Sequence, residues 1–446
     1  MEDWTNTMKR NLIVISLILA LVALLGGYIL QQRYYRYELD LTTDRPDAVY
    51  ALNEPIKFQV SLRSYGRPVT GKVKYVLSND GVSLSTGESR INQGVLTLDA
   101  KRETPGFARC DVAFEVLPGK TISARATAAV EPETILAEIS APEDFDAFWA
   151  EQKKQLADVP LNSKLKPVWS TASGVDAFEV KVDCVGEPVS GYFARPQNAK
   201  PSSLPALLRV HGAGVSSASL TNVVQIGEQG MLSLEINAHG IPNGRPKSFY
   251  RELATTTLKD YFHQGKSNRN SCYFLGMYLR AKRAIDFLAA QAEWDGKVML
   301  VHGNSQGGAQ AIAVAALDDR VTMIALGTPG FCNQAGTISG WPWFVEKDAE
   351  GVPIQQMRET SRYFDSVNFA ARTSADVIMS VGFVDDACPP TSVYMAYNQF
   401  SGKKQIINRP KMAHEHPVAI KKLFYQAFQA HIDQVQDNQD LATGVH

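Results

Sequence analysis

The segment Gly303-Asn304-Ser305-Gln306-Gly307-Gly308 follows the apolar run Lys297-Val298-Met299-Leu300-Val301 and precedes the small-residue stretch Ala309-Gln310-Ala311-Ile312-Ala313-Val314. The run before it reads as a buried strand and the stretch after it as a helix. A chain passes from strand to helix within so few residues only through a sharp turn, and the flanking glycines leave room for one. Such a turn holds its central residue in a sparsely populated backbone conformation and lifts its side chain above a sheet edge. The helix behind it aims free N–H groups and the positive end of its dipole at developing negative charge. Ser305 is therefore the candidate nucleophile.

The surrounding text agrees with this turn. Apolar runs of buried-strand length occur at 204–210, 231–236, 297–301, 321–326 and 377–381, with helical stretches at 274–291 and 309–317 between them. That alternation predicts a mostly parallel central sheet covered on both faces, with functional groups at the carboxyl ends of its strands. The region opens near Pro132, where Ser140-Ala141-Pro142-Glu143 reads as a capping box. A helix from Asp144 to about Leu156 then carries Phe145, Phe148 and Trp149 on one face. Upstream, 37–131 consists of short alternating segments such as 57–62, 73–77, 95–98, 113–116 and 122–130, separated by turns such as Asn79-Asp80-Gly81 and Pro118-Gly119. These predict a small β-sandwich, read as a spacer or packing module with carbohydrate binding as the alternative.

Asn11 to Leu30 is uncharged and apolar. At about 1.5 Å per residue it spans a bilayer core of roughly 30 Å. No small-residue cut site follows, so residues 1–36 read as an uncleaved membrane anchor ahead of domains at 37–131 and 132–446, with a cleaved signal as the alternative. Lys9 and Arg10 before the run nearly balance Arg33 and Arg36 after it. The amine terminus tips the balance to an inside start, which puts the catalytic domain outside the cytoplasm, in the periplasm or at the cell surface, or secreted if the segment is cut. Lys+Arg 45 against Asp+Glu 46 gives a net charge of −1, and no basic stripe argues for a nucleic-acid partner. Five scattered cysteines without CxxC spacing exclude a zinc ribbon or disulfide scaffold.

A serine needs a base, and the base a carboxylate to orient it. After Ser305 the histidines are His414, His416, His431 and His446. His446 is terminal and His431 lies in an amphipathic last helix, so both read as solvated. His414, past the Ile406-Ile407 pair and before that helix, is the candidate base, with His416 as its local rival. The run at 377–381 leads into Asp385 and Asp386. Asp385 is the candidate acid and Asp386 the alternative. The order Ser, Asp, His is that of an α/β-hydrolase. The second oxyanion donor belongs on the loop after an earlier strand, and His211-Gly212-Ala213-Gly214 follows 204–210. The Gln306 and Ala213 amides are the candidate oxyanion hole, and His211 reads as structural. No HExxH or paired-carboxylate motif is visible, and no cofactor or metal is expected. The predicted fold class is α/β: an α/β-hydrolase preceded by a small β-sandwich and an amino-terminal transmembrane helix.

Several longer motifs carry a resemblance. They are the stretch from Tyr363 to Arg372 (YFDSVNFAAR), VGFVDDACPP at 381–390, AYNQF at 396–400, GNSQGG, the His414-Glu415 pair and PEDFDAFW at 142–149. Over roughly 138–429 the chain resembles the acetyl xylan esterase/cephalosporin-C deacetylase family. The resemblance implies a serine esterase that removes acetyl groups from sugars such as xylo-oligosaccharides, with Ser305, Asp385 and His414 as triad and Gln306 and Ala213 as oxyanion donors. It places Pro329, in Gly327-Thr328-Pro329, beside a small acyl pocket. Three stretches depart from the family's usual text. Asn237-Ala238-His239-Gly240 stands where it has RGQG, a tyrosine commonly follows the loop position where this chain has Ala213, and His414-Glu415-His416-Pro417 stands where it has HEGG. An oligomer is compatible with the resemblance, although the anchor and sandwich would obstruct the family's ring-shaped hexamer. Trp341 and Trp343 are candidates for stacking on sugar, or for packing a lid or oligomer contact. The competing readings are another acyl hydrolase, such as a peptidase or longer-chain esterase, and a decayed, surface-tethered glycan-binding protein.

Overall fold

The computed structural model describes residues 37–443 apart from Thr171, together with Ser16 and residues 19–21, which are helical. The anchor expected over Asn11 to Leu30 otherwise lies outside the described residues. Among the described residues no helix is long and apolar enough to cross a membrane. The chain forms two compact units that divide between Glu131 and Pro132.

The first unit is built from two sheets. β1 (Tyr37–Thr43), β3 (Ile56–Ser64), β4 (Arg67–Pro68) and β7 (Val95–Ala100) make one; β2 (Val49–Tyr50), β5 (Gly71–Asn79), β6 (Val82–Ile91), β8 (Gly106–Leu117) and β9 (Lys120–Val130) make the other. Along β3 every second residue is buried, as period-two alternation requires of a strand with one face on a core. Phe58, Val60 and Leu62 from the first sheet meet Val73, Cys110, Val112 and Ala128 from the second. β6 escapes a pattern reading because its sequence, VSLSTGESRI, is exposed along most of its length and has no apolar stripe. Inside this unit Arg102 and Asp80 form an ion pair 2.5 Å long with both side chains 6% exposed. Arg102 also donates to the carbonyls of Thr104, Pro105 and Phe107, which closes the turn into β8.

The second unit is a nine-stranded sheet in the order β10-β11-β12-β14-β13-β15-β16-β17-β18. Its strands are β10 (Lys164–Pro167), β11 (Val175–Val182), β12 (Val189–Pro196), β13 (Leu204–Val210), β14 (Leu232–Ile236), β15 (Trp294–Asn304), β16 (Met323–Gly327), β17 (Asp376–Gly382) and β18 (Lys404–Arg409). From β14 to β18 every pairing is parallel, and β10 to β12 add an antiparallel edge. The helices are α1 (Phe145–Ala157), α2 (Leu220–Gly227), α3 (Lys247–Thr255), α4 (Tyr273–Ala289), α5 (Gln306–Leu317), α6 (Gln355–Ser361), α7 (Ser366–Ala370), α8 (Pro390–Gln399) and α9 (Val418–Thr443). Adjacent residues on β12 show that both faces are covered. Ala194 packs with Val223 and Val224 of α2, while Phe193 meets Phe287 of α4 edge-on at 5.2 Å. On the α2 face, Ile420, Phe424 and Phe428 of α9 close over Leu207, Leu300, Ala325 and Ile378.

The expected capping box is not formed. α1 starts at Phe145 with Asp144 as its cap residue, and Asp144 makes no capping hydrogen bond. Its carboxylate is drawn instead to Arg269 (2.5 Å) and the Tyr363 hydroxyl, and a charged partner outcompetes a backbone N–H. The aromatic face of α1 is as expected: Phe145, Phe148 and Trp149 are buried, and Trp149 Nε1 donates to the Tyr363 carbonyl at 3.0 Å. All five cysteines are free and buried. Removing one partner of a buried ion pair strands the other charge, a loss of about 3 kcal/mol or more. Arg102→Ala should therefore erase amide-exchange protection across β8 and β9 while leaving β13 to β17 protected. Unchanged protection in β8 would show that the pair does not hold that unit together.

Candidate active site

The turn between β15 and α5 is as tight as the sequence implies. A Cβ on Gly303 would lie 2.1 Å from the Gly307 carbonyl oxygen, and one on Gly307 would lie 2.4 Å from the Val210 carbonyl oxygen. Only glycine permits so close a backbone approach. Ser305 takes φ +53° and ψ −122°, a conformation L-residues rarely adopt. Its N–H donates to the Gly327 carbonyl (2.8 Å), and its carbonyl accepts from Gly330 N–H (2.9 Å) and from Ala309 N–H (3.2 Å). Held on both sides, the residue keeps its strain and presents its hydroxyl at the carboxyl edge of the sheet.

Two other strand ends deliver the partners. Asp385 follows β17, and its side chain is fully enclosed. Its Oδ1 accepts the N–H groups of Ala387 and Cys388, each at 2.8 Å, which leaves Oδ2 for the histidine. The loop after β18 is tied to this turn by Val384 N–H donating to the Met412 carbonyl (3.2 Å). That contact places His414 Nδ1 2.8 Å from Asp385 Oδ2 and His414 Nε2 2.9 Å from Ser305 Oγ. A carboxylate only accepts, so Nδ1 carries a proton and Nε2 is the acceptor for the serine hydroxyl. This is the geometry in which imidazole takes a proton from an attacking hydroxyl.

Gly212 lies against the serine, since a Cβ on it would fall 3.8 Å from Ser305 Cβ. Ala213 is the next residue. The N–H groups of Ala213 and Gln306 donate to no described protein group. Pro329 sits beside the elbow, where a Cβ on Gly308 would come within 2.7 Å of Pro329 Cβ. The segment carrying the two tryptophans reaches the acid's loop through Trp341 N–H, which donates to the Ala387 carbonyl at 2.6 Å. The Trp341 ring is engaged by Phe262 at 5.5 Å and Phe274 at 6.5 Å, whereas Trp343 is 53% exposed. Of the two candidates for sugar stacking, Trp343 presents the more open ring, Trp341 being half-buried.

The remaining histidines fall into distinct roles. His416 stands edge-on to His414 with ring centroids 5.4 Å apart, and the hydrogen bonds to Asp385 and Ser305 are made by His414. His211 is half-buried, with Nδ1 3.0 Å from the Gly212 carbonyl. His431 is not solvated as expected: Nε2 lies 3.1 Å from Thr322 Oγ1 and Nδ1 3.2 Å from Asp376, because α9 packs its apolar stripe onto the sheet and takes His431 with it. Burial pushes His239 down to about 4 and His302 down to about 3, from an ordinary 6.5. Both are neutral when folded, while an unfolded chain takes up protons below about 6.5. The folded unit thus has its full stability above that pH and loses it as pH falls towards 4. The urea midpoint followed by tryptophan fluorescence should drop between pH 7 and pH 4.5, and His302→Gln should flatten the drop; a pH-independent midpoint would contradict the buried, neutral assignment.

Comparison with known proteins adds a lineage to this geometry. The family model for acetyl xylan esterase (AXE1) matches residues 133–431. Acetyl esterase Axe7A of Xylanibacter ruminicola is 28% identical over 424 residues, covering 92% of this chain and 94% of that protein, so the likeness extends into the amino-terminal unit. An acetyl xylan esterase from Paenibacillus sp. R4 superimposes with a TM-score of 0.58 at 25% identity, over 67% of this chain and 98% of that one. Acetyl xylan esterase 1 from Thermoanaerobacterium sp. JW/SL YS485 shares the fold, with a TM-score of 0.57 at 22% identity over 67% of this chain and 96% of its own. The chain is a carboxylic ester hydrolase with an α/β-hydrolase fold, and it belongs to the acetyl xylan esterase (AXE1) family.

Proposed function

We propose that this protein removes acetyl groups from acetylated sugars such as xylo-oligosaccharides by double displacement through Ser305. The observation that carries the reading is the continuous line from Asp385 Oδ2 to His414 to Ser305 Oγ, with links of 2.8 and 2.9 Å. His414 takes the hydroxyl proton as Ser305 Oγ attacks the acetyl carbonyl carbon. The Ala213 and Gln306 amides hold the resulting oxyanion, a contribution that typically reaches a hundredfold or more in rate per donor. Collapse breaks the bond to the sugar oxygen, which receives the proton from His414 and leaves acetyl-Ser305. A water then gives its proton to His414 as it attacks, acetate departs, and the serine regains its proton.

The sugar moiety rests on Trp343 in this reading. Its ring is exposed, and it follows a segment that packs on the acid's loop, where a Cβ on Gly340 would lie 2.9 Å from the Ala387 carbonyl oxygen. Residues 11–30 tether the catalytic unit to a membrane, outside the cytoplasm, on the strength of their length and lack of charge. The tether is tested by fractionation: the full chain should leave membranes with detergent but not with high salt.

Replacing Ser305 with alanine should abolish acetate release from acetylated xylo-oligosaccharides and from p-nitrophenyl acetate, with folding checked by circular dichroism. Residual turnover near that of the unaltered chain would overturn the nucleophile. Across an acyl series, acetate should be the best substrate; preference for butyrate or a peptide bond would point to a different acyl hydrolase. Trp343→Ala should raise KM severalfold for acetylated oligosaccharides and leave p-nitrophenyl acetate untouched. Equal effects on both substrates would remove the stacking role.

A further inference from the structure

The two candidate oxyanion donors lie on different loops, and their separation decides whether both reach one oxygen. Ala213 follows β13, and Gln306 starts α5. A buried tyrosine from a third element joins them. Tyr261 stands in a short 3-10 turn (Tyr261–His263) between α3 and α4, preceded by Asp260 at φ +48°. Tyr261 is 4% exposed. Its hydroxyl donates to Gln306 Oε1 at 2.5 Å and accepts from Gly214 N–H at 3.3 Å. The other end of the same glutamine, Nε2, reaches back to the Gly212 carbonyl at 3.4 Å. Tyr261, Gln306, Gly212 and Gly214 therefore close a ring of contacts with Ala213 at its middle.

His239 holds the outer side of that loop. Its Nε2 lies 3.0 Å from the Gly214 carbonyl oxygen, and its Nδ1 lies 2.7 Å from the Tyr273 hydroxyl. A carbonyl only accepts, so Nε2 must carry the proton, and in a neutral ring Nδ1 accepts from Tyr273 O–H. The ring also stands edge-on to Tyr261, with centroids 4.7 Å apart. Burial holds His239 down at about 4 and Tyr261 up at about 12, so this donor arrangement persists across the neutral range. The residues before and after Ala213 are thus each bonded, and its own N–H is the group left unpaired.

We propose that Tyr261, seconded by His239, is a positioning residue that sets the distance between the Ala213 and Gln306 amides and so preorganises the oxyanion hole. The inference rests on the serine-esterase reading given above and deepens it. Neither side chain need touch substrate. Their effect falls on the transition state, where the oxyanion forms, and hardly on the bound ester, whose carbonyl is neutral.

Tyr261→Phe removes one oxygen and leaves the ring in place. On the full chain with p-nitrophenyl acetate, kcat should fall about 10- to 100-fold, a fraction of the loss typical of a deleted donor, while KM stays within about threefold. Affinity for an acetyl-sized trifluoromethyl ketone, which forms a tetrahedral oxyanion on the serine, should fall in step with kcat. Tyr273→Phe, which frees the proton arrangement of His239, should give a smaller loss of the same kind and serves if the first variant does not fold. A kcat within twofold of the unaltered chain, a rise in KM alone, or a loss of kcat without loss of ketone affinity would each overturn the proposal. Ser305→Ala run alongside separates the failures: if it keeps activity the esterase reading falls, and if it is dead while Tyr261→Phe is unimpaired only the brace falls.

Discussion

The close approach of three backbone segments under Ser305 is the constraint from which the site follows. Gly303 at the end of β15, Gly307 in the first turn of α5 and the Val210 carbonyl at the end of β13 meet at distances that exclude any side chain. A helix brought so near its own strand leaves one residue to absorb the reversal, and Ser305 does so at φ +53°. Such strain persists only when the surroundings over-determine it. Here the Gly327 carbonyl and the Gly330 N–H grip the serine backbone from the β16 side. The height of the hydroxyl above the sheet, and hence which loops reach it, is set by that packing.

Parallel pairing from β14 to β18 then gathers the chemistry at one edge. β13 leads into the loop with Ala213, β15 into Ser305, β17 into Asp385 and β18 into His414. Residues far apart in the chain become neighbours because adjacent parallel strands end on the same side. Buried histidines surround this edge without adding charge to it. His239 and His302 both lie below their ordinary range, each chiefly by desolvation. In such surroundings the Asp385 to His414 to Ser305 line has no competing cation among those rings.

The site's geometry depends on contacts that cross long stretches of chain as much as on the triad itself. Lys266 and Glu346 pair across the turn that carries Tyr261 and the segment that carries the tryptophans. Asp365, fully buried and raised to about 6 by desolvation, accepts the N–H groups of Asn333, Gln334 and Val367. Those bonds cap α7 and fasten the chain before the tryptophan segment to it, and the segment in turn reaches the Asp385 loop through Trp341.

The amino-acid sequence by itself determined which stretches become strands and helices of the core, since burial at a fixed period is a local property. The runs at 204–210 and 377–381, the alternating 57–62 and the strand, elbow and helix around Ser305 were all legible for that reason. Asp385 and His414 could be named from their order after the serine and their places beyond apolar runs, with Asp386 and His416 left as rivals. Tertiary structure alone separated those pairs, because which carboxylate and which imidazole face the hydroxyl depends on how the two loops dock. It also drew Asp144 away from its helix end to Arg269, packed His431 against Thr322, kept the Trp343 ring open while half-burying that of Trp341, and put Tyr261 between the loops of Ala213 and Gln306. A lone tyrosine in a polar loop carries no periodic signal. Its place is fixed by hydrogen bonds to residues close in space and distant in the chain, and only folding brings those together.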